Sequence, residues 1–308
     1  MNAPSALASA YVAFRDDLID DGLLVPMGSD GLFGRGAVFE SIVTALDTAI
    51  MTLGADNNPT ILRFPPVISR TLIERTDYLK SFPDLLGSVH SFSGSDRDHL
   101  ALIATAESGG DWAQAFTSTD VVLCPAACYP LYPMSSGQTV PDSGRIYDVV
   151  GTCFRREPSI DPARMQSFRQ HEQVFIGGES EALAFRNRWL ERGTGLLRQL
   201  GLPVEAVVAN DPFFGRVGKM LASSQRDQAL KWEMVVPICS EEWPTAIAST
   251  NAHQDHFGAP FDIRRPDGSA AHSACIGFGL ERCTLALLRH HGLDPHLWPS
   301  EVRAILWS

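Results

Sequence analysis

A pair of strand-like runs joined by a polar, arginine-rich turn constrains the fold of this chain more than any other feature. Residues 146–154 and 168–176 have strand character, and residues 156–166 between them have the composition of a hairpin connection. Four further runs have strand character: residues 204–208, 231–238, 245–250 and 273–277. Turns or long insertions, and not regular crossover helices, connect them. This arrangement predicts an antiparallel sheet flanked by helices, which belongs to the α+β class.

Helical patterns flank these strands. Apolar residues recur at helical spacing between Phe39 and Ile50, and that pattern ends near Gly54. Three further helices are predicted: residues 5–20, 179–200 and 280–290. The chain contains no internal repeat, low-complexity segment or evident linker, which predicts one domain over residues 1–308 with an inserted helical segment at about 179–225.

Composition excludes several classes of protein. Hydrophobic residues make up 44% of the 308 residues and charged residues 20%, so a sizeable core can form. No apolar run approaches the ~20 residues that span a bilayer, and no signal-peptide pattern opens the chain. Six cysteines therefore indicate buried thiols or metal ligands in a cytoplasmic protein. The net charge of -11 disfavours binding to polyanions such as tRNA.

The segment CFRREPSIDPARMQSFRQHE, residues 153–172, carries the first candidate site. Guanidinium groups at a hairpin tip suit a phosphate, because each can grip two oxygens. A carboxylate at Glu157 can accept a hydrogen bond from an exocyclic amine such as that of adenine. Four arginines form the cluster: Arg155, Arg156, Arg164 and Arg169. A solvated, salt-bridged hairpin is the alternative interpretation.

The segment ACIGFGLERCTLAL, residues 274–287, carries the second candidate site. Gly277 and Gly279 allow close backbone approach where a strand enters a helix, and Arg282 lies in the first turn of that helix. Taken alone, the segment is also compatible with an ordinary strand-to-helix turn.

Together, these two segments resemble motifs 2 and 3 of class II aminoacyl-tRNA synthetases. The helix before Phe64-Pro65-Pro66 resembles motif 1, which forms the dimer interface in that superfamily. The segments GLFGRG, RFPPVISRTLIERTDYLKSFP and CPAACYPLYP are similar to the zinc-dependent seryl-tRNA synthetase core, and more so to the stand-alone amino acid:[carrier protein] ligases. The resemblance runs from about Gly34 to the C-terminus and implies a homodimer with a class II sheet.

The resemblance implies an ATP site. Arg155 matches the motif 2 arginine on the α-phosphate and Arg282 the motif 3 arginine on the γ-phosphate side, so these are the expected catalytic residues. Glu157 matches the residue that reads the adenine amino group. The other expected contacts to ATP and Mg²⁺ are Arg164, Met165, Lys231, Ala246, Ile247, Ala248 and Ser249. The chain departs from the family pattern at Ala246, where many synthetases have a carboxylate, and at Gln173, where motif 2 commonly offers an aromatic.

The resemblance also implies one zinc ion, held by Cys128, Glu172 and Cys275. Thiolate and carboxylate ligands satisfy zinc, and three of them leave a tetrahedral position open for the α-amino group of the substrate. Asn251 matches a substrate-pocket asparagine. For each cysteine, a buried inert thiol is the alternative. Cys124 rivals Cys128, and the cluster NAHQDHF, residues 251–257, is a further but poorer metal candidate because it lacks a helical His pair.

The expected reaction is ATP-dependent activation of a small amino acid, most readily glycine or alanine, followed by transfer to the phosphopantetheine thiol of an acidic carrier protein. Arg216 and Lys219, three residues apart on a predicted short helix at 213–222, form a candidate carrier dock or a solvated helix face. About thirty residues precede the family-like region, where seryl-tRNA synthetases carry a tRNA-binding domain. tRNA aminoacylation and a non-catalytic synthetase paralogue remain as alternatives.

Overall fold

The computed structural model describes residues 5–210 and 229–307. The predicted helix at 213–222, part of the predicted insertion at 179–225, and the candidate carrier-docking residues Arg216 and Lys219 lie outside the described residues.

The helices in the described residues follow the predicted periodicity closely. They are α1 (Ser5–Asp20), α2 (Ala37–Gly54), α3 (Arg70–Glu74), α4 (Tyr78–Ser81), α5 (Asp96–Glu107), α6 (Leu131–Met134), α7 (Glu179–Gln199), α8 (Leu280–His291) and α9 (Ser300–Leu306). Short 3₁₀ turns cover Ala55–Asn57, Trp112–Ala115 and Pro295–Leu297. All four predicted helices that fall in the described residues are confirmed; the five short or exposed helices α3, α4, α5, α6 and α9 were not predicted.

The strands of residues 5–210 and 229–307 form three sheets. They are β1 (Leu24–Pro26), β2 (Phe33–Arg35), β3 (Thr60–Arg63), β4 (Val67–Ser69), β5 (Ser88–Phe92), β6 (Phe116–Leu123), β7 (Arg145–Phe154), β8 (Ser167–Gly177), β9 (Glu205–Ala209), β10 (Lys231–Val236), β11 (Thr245–Gln254) and β12 (His272–Gly279). The central sheet has seven strands in the order β3-β7-β8-β12-β11-β10-β9. A hairpin joins β1 to β2, and β4-β6-β5 form a separate three-stranded sheet.

The α+β class is confirmed, with one correction to the predicted antiparallel sheet. Strand β3 pairs with β7 in parallel, whereas every other neighbouring pair in the central sheet is antiparallel. The long connection between β3 and β7 brings the chain back in the same direction, so the sheet is mixed.

The register of the central strands decides which side chains share a face. Cys275 on β12 lies opposite Val174 on β8 and Asn251 on β11, and Asn251 lies opposite Lys231 on β10. Opposed residues of a ladder project to the same side, and so do residues two apart on one strand. Glu172, two residues before Val174, therefore shares this face, which we call the cleft face.

Each face of the sheet has its own hydrophobic core. The larger core packs α1, α2, α7 and α8 against the face opposite the cleft face, with Phe278 and Met234 among its fully buried strand residues. The smaller core lies on the cleft face. It includes Cys128, Tyr132, Val174 and Cys275.

A partly buried ion network on the helical face joins the elements that resemble the three motifs. Arg169 on β8 donates from its backbone N and its Nε to the Glu281 carboxylate at 2.7 and 2.8 Å. Its other two nitrogens make a bidentate pair with Glu40 of α2, both at 2.7 Å. The Arg35 Nε lies 3.3 Å from Glu281. Strand β8, α2 and α8 are therefore held in one geometry by a single guanidinium group.

A second network on the same face anchors the parallel strand β3. His171 contacts Asp148 at 2.8 Å and Asp47 of α2 at 2.7 Å, and Arg63 of β3 donates to Asp148 at 3.0 Å. Burial disfavours the charged form of His171, but the hydrogen bonds to Asp148 and Asp47 outweigh it and raise the pKa of the ring. Gln173 also donates to Asp148.

Helix α2 and the short turn after it, Ala37–Asn57, form the one helical span in the described part of the chain that is long and apolar enough to cross a membrane. Residues such as Phe39 and Ile42 lie in the larger core, and Glu40 and Asp47 pair with Arg169 and His171. The span is thus a core helix that packs on the sheet.

We predict that Glu281→Gln destabilises the protein by about 3 kcal/mol, because it removes the fully buried one of the two carboxylates that bind the partly buried Arg169 guanidinium. Urea unfolding followed by circular dichroism measures this. Asp77→Asn, which breaks the exposed Asp77–Lys80 pair, is the matched control, with an expected cost under about 1 kcal/mol. Equal effects of the two substitutions would contradict the role of the network.

Candidate active site

Three side chains from distant parts of the sequence meet on the cleft face. Cys128 lies in the loop between β6 and α6, Glu172 on β8 and Cys275 on β12, and each is at most 4% exposed. The Glu172 Oε1 accepts a hydrogen bond from the Cys128 backbone N at 3.1 Å. The Cys128 thiol hydrogen-bonds with the side chains of both Cys275 and Glu172. We call these three residues the acidic trio.

The three acidic groups shift each other's protonation. The hydrogen bond with Cys275, then burial, raises the pKa of the Cys128 thiol. Burial and the charge of Cys275 raise the pKa of Glu172 to about 8. The pKa of Cys275 is lowered, first by the hydrogen bond from Cys128 and also by His253 and Asn251. Cys275 is therefore the preferred position for a thiolate, and Cys128 holds a proton beside it.

A glycine on the neighbouring strand makes room for the carboxylate of the trio. Gly277 lies opposite Glu172 in the β8–β12 ladder. A Cβ at Gly277 would lie 3.3 Å from the Glu172 Cγ, a tight contact that the Glu172 side chain would relieve by shifting. The first glycine of the Gly-x-Gly pair thus has a direct part in placing Glu172, whereas a Cβ at Gly279 would meet nothing closer than 3.5 Å.

The donor set of the trio fits a zinc ion in its chemistry. Two thiols and one carboxylate are ligands that zinc accepts, and three of them are typical of a site with an open position. Within residues 5–210 and 229–307, no group of three His, Cys, Asp or Glu side chains is already arranged around a metal position. The Cys128 thiol hydrogen-bonds with the side chains of Cys275 and Glu172, so the three donors lie close together on the cleft face.

Polar residues on β10 and β11 extend the site beside the trio. The Asn251 Nδ2 lies 3.8 Å from the Cys275 Sγ and 3.5 Å from the Ser249 Oγ. Lys231, opposite Asn251 in the ladder, is 8% exposed, and its Nζ lies 3.0 Å from the Glu233 carboxylate. Lys231 is therefore a buried, ion-paired lysine on the cleft face and not a solvated strand lysine.

Arg282 is held by neutral carbonyl groups. Its Nε donates to the Ala163 carbonyl at 2.8 Å and its Nη1 to the Ala246 carbonyl at 3.0 Å. Burial and the neighbouring charge of Arg155 lower the pKa of Arg282, while Glu157 acts in the opposite direction. Carbonyl dipoles fix the guanidinium without neutralising it, which leaves its charge for an anion.

Arg155 and Glu157 lie close enough to Arg282 to influence it electrostatically. The Arg155 Nε donates to the Pro125 carbonyl at 3.2 Å, and its guanidinium carbon lies 5.5 Å from the centre of the Phe168 ring. Arg164 is exposed, with its Nε 3.9 Å from Asp161. Arg155 and Arg164 of the hairpin thus lie within electrostatic reach of Arg282 at one end of the cleft face.

Several residues of the predicted ATP site lie elsewhere. Arg169, grouped above with the phosphate-gripping arginines, projects to the helical face and is bound by Glu40 and Glu281, so its assignment to the cluster is wrong. Gln173 also projects to the helical face, where Asp148 binds it. Met165 is 5% exposed in the larger core, with its sulfur 3.7 Å from the Arg35 guanidinium, which leaves little of it for a nucleotide.

Only some residues of the strand segment Ala246–Ser249 take part in the cleft face. Ala246 contributes its carbonyl to Arg282 and Ser249 lies on the cleft face, whereas Ile247 and Ala248 are buried in the larger core. A register shift between Met234 and Val235 in the β10–β11 ladder interrupts the alternation here.

The structure distinguishes between the alternative metal ligands that the sequence offers. The Cys124 thiol donates to the Ala126 carbonyl at 3.1 Å, whereas Cys128 contacts the other two members of the trio. In the 251–257 cluster, His256 lies 3.9 Å from Asp77, but His253 turns toward the trio, with its Nε2 3.5 Å from the Cys275 Sγ.

Two residues of this region escaped the sequence reasoning. Phe168 offers an aromatic ring beside Arg155, and strand alternation from Glu172 was a signal that places it on the cleft face. His253 was considered only as part of a separate metal cluster; its approach to Cys275 depends on β11–β12 pairing, for which the local sequence has no signal.

Comparison with known proteins identifies relatives of this chain. No family model matches the chain. The chain is 46% identical over 291 residues to amino acid–[acyl-carrier-protein] ligase 2 of Bradyrhizobium diazoefficiens, covering 94% of this chain and 87% of that protein. Ligase 1 of the same organism is 45% identical over 291 residues, with 94% and 89% covered. The type-2 serine–tRNA ligase of Methanopyrus kandleri is 30% identical over 196 residues, 59% of this chain and 37% of that protein.

Solved structures agree on the fold. The M. kandleri SerRS structure, solved in complex with A. aeolicus tRNASec, superposes with a TM-score of 0.81 at 21% identity over 95% of this chain and 59% of that one. The cytoplasmic serine–tRNA ligase of Naegleria fowleri superposes with a TM-score of 0.72 at 13% identity, over 95% and 65%. The chain therefore has the catalytic fold of class II aminoacyl-tRNA synthetases. It belongs to the amino acid–[acyl-carrier-protein] ligase family, and it is a ligase.

For a zinc ion held by the trio, we predict that Gly277→Ala lowers the affinity roughly tenfold, because the added methyl group displaces the Glu172 side chain. Competition with a chromophoric chelator measures the affinity. Gly279→Ala, whose methyl group meets only ordinary contacts, is the matched control and should bind zinc like the unaltered protein. Identical affinities for the two variants would show that Gly277 does not position Glu172.

Proposed function

We propose that this protein activates a small amino acid with ATP to form an aminoacyl-adenylate and then transfers the aminoacyl group to the phosphopantetheine thiol of a carrier protein. Membership of the ligase family supports the reaction class. The observation that carries the proposal is the charge arrangement of the cleft face. The acidic trio, suited to a cation, shares that face with Arg155 and Arg282, which are suited to an anion.

The spacing of these two regions suits an adenylate. Phe168 and Glu172 lie four residues apart on β8, about 13 Å at the usual rise of a strand. Phe168, with Glu157 nearby, supplies a surface on which a base can stack, and Glu157 can accept from the adenine amine. An aminoacyl-adenylate can span from that surface to the trio. We assign the adenine to the Phe168 end and the amino acid to the trio end.

Cys128, Glu172 and Cys275 would hold the zinc ion. A bound zinc ion would supply a Lewis-acidic open position for the α-amino group of the substrate. Asn251 and Lys231, beside Cys275 in the same register row, border the amino-acid end. Recognition through the amino group reads no side chain, so the wall of the pocket selects among glycine, alanine and serine, and one methylene is worth only about 1–3 kcal/mol.

In the activation step, a carboxylate oxygen of the amino acid attacks the α-phosphorus of ATP. A new phosphorus–oxygen bond forms, the bond to the bridging oxygen breaks, and pyrophosphate leaves with Mg²⁺. Arg155 grips the α-phosphate and Arg282 the departing phosphates, and their charge balances the charge that builds up in the transition state. Arg282 needs no reorganisation, because two carbonyl groups already fix it.

In the transfer step, the thiol of the carrier protein attacks the aminoacyl carbonyl, and AMP leaves. The relatives' name supports a carrier protein as the acceptor, and the net charge of -11 disfavours tRNA. Arg216 and Lys219 remain a predicted dock outside the described residues. A charging assay with total tRNA tests the alternative acceptor.

The homodimer is part of the proposal, with α2 at the interface. The outward residues of α2 carry no charge: Ala37, Val38, Ser41, Thr44, Thr48, Met51 and Thr52 are exposed. Val38 is 43% exposed and Ile61 on the terminal strand β3 is 56% exposed. A charge-free, partly apolar surface of this kind is typical of an interface core.

We predict that Arg282→Gln reduces amino-acid-dependent exchange of pyrophosphate into ATP by roughly 10²–10³-fold, because one fixed donor to the transferring phosphates is lost. Arg97→Gln, at an exposed position of α5 outside the proposed site, is the control and should keep the exchange rate within about threefold. Failure of the unaltered protein to exchange pyrophosphate with any amino acid would contradict the proposed function.

We predict that Thr44→Arg shifts the protein from dimer to monomer in sedimentation velocity, because it buries an unpaired charge at the α2 surface. Ala184→Arg, at an exposed position of α7, adds the same charge elsewhere and should leave the dimer intact. If Thr44→Arg sediments as the unaltered protein does, the interface lies elsewhere.

A further inference from the structure

His253 reaches the trio through an irregularity in strand β11. In the β11–β12 ladder, Ala252 pairs with Ala274 and Gln254 pairs with Ser273, so His253 is an extra, bulged residue. Gln254 has a φ of +54°, a conformation that costs energy for a residue other than glycine. Bulges next to functional sites often redirect a side chain. Here the redirected side chain is the His253 imidazole.

Aromatic and hydroxyl groups hold the imidazole on both sides. The Phe257 ring meets it edge-on at 5.2 Å between centroids and 84°. The His253 Nδ1 lies 3.0 Å from the Ser273 Oγ and 3.4 Å from the Tyr132 hydroxyl. The Nε2 on the other side of the ring lies 3.5 Å from the Cys275 Sγ. Both ring nitrogens therefore have partners, and the ring has little freedom to turn.

The protonation of Cys275 in the metal-bound state decides which atom donates in each of these hydrogen bonds. A metal-bound thiolate carries no proton, so the hydrogen in the bond between Cys275 and His253 must come from Nε2. A neutral imidazole protonated at Nε2 accepts at Nδ1. The Ser273 hydroxyl is then the donor to Nδ1, since hydroxyl hydrogens rotate to suit their partners. Ser273, the nearer of the two hydroxyls at Nδ1, thus stabilises the tautomer in which His253 donates to Cys275.

We propose that His253 is a positioning residue for the metal site. Its Nε2–H bond to Cys275 orients the sulfur toward the other two ligands and slows release of the ion. The inference rests on the proposed zinc site, and it assigns to His253 the role that outer-shell partners of metal ligands have in general. His253 does not itself bind the metal or the substrate in this proposal.

Two substitutions of His253 test the roles of its two ring nitrogens separately. The side-chain amide of His253→Gln reaches about as far as Nε2, so it can keep the bond to Cys275. The amide of His253→Asn reaches only about as far as Nδ1, so it keeps a partner for Ser273 and loses the one for Cys275. Ser273→Ala removes the hydroxyl that stabilises the tautomer and leaves the imidazole in place.

The experiment loads each protein with zinc and follows transfer of the ion to a chromophoric chelator. We expect roughly 10–100-fold weaker zinc retention in His253→Asn, near-normal retention in His253→Gln and an intermediate value in Ser273→Ala. In cobalt-substituted protein, the thiolate-to-cobalt absorption band should shift in His253→Asn and stay in place in His253→Gln. Thermal unfolding of the zinc-free proteins checks that the variants fold.

Retention of zinc at the unaltered rate by His253→Asn would overturn the proposal, and so would equal loss in Gln and Asn variants, which would make His253 a direct ligand or a packing residue. If His253→Asn does not fold, unchanged retention in Ser273→Ala overturns it. An unaltered protein that binds no zinc contradicts the proposed metal site itself, whereas unchanged variants of a zinc-binding protein contradict only the role of His253.

Discussion

Three acidic side chains buried side by side at the centre of the sheet are the constraint around which the rest of the site is organised. Burial and the neighbouring acidic groups raise the pKa of Cys128 and of Glu172, so both resist ionisation. A protein keeps such a group only if protons or a cation compensate it. The arginines at the other end of the cleft face carry positive charge and need an anion to compensate it. A substrate with an amine at one end and phosphates at the other meets both.

The helical face of the sheet supplies the rigidity that this arrangement needs. Arg169 alternates with Glu172 along β8, so the strand that presents the carboxylate to the cleft is clamped from behind by Glu40 and Glu281. The Gly-Leu-Glu-Arg segment serves both faces. Glu281 closes the clamp behind the sheet, and Arg282, the next residue, turns toward the cleft and is held by the Ala163 and Ala246 carbonyls.

Sequence reasoning predicted the features that depend on local pattern and missed those that depend on pairing. Hydrophobic periodicity located α2, α7 and α8, and the hairpin of β7 and β8 followed from composition. The parallel pairing of β3 with β7 and the separate three-stranded sheet depend on contacts across long connections, for which the sequence has no local signal.

The same distinction applies within the site. Convergence of Cys128 and Cys275 was expected from family resemblance alone, since no spacing rule joins residues so far apart. Strand alternation by itself puts residues 169 and 172 on opposite faces, so the sequence already argues against Arg169 in the phosphate cluster. The position of His253 was not predictable, because a single-residue bulge decides which partner strand residue it meets. Met165 shows that a loop residue adjacent to an exposed arginine can still belong to the core.

The measurement that tests the central claim most directly is a crystal structure of the zinc-loaded protein with a non-hydrolysable aminoacyl-adenylate analogue, recorded with anomalous data at the zinc edge. The account predicts one anomalous peak bound by Cys128, Glu172 and Cys275, the amino group of the analogue on the same ion, and its phosphate beside Arg155. An analogue bound elsewhere, or a zinc peak away from the trio, would contradict it.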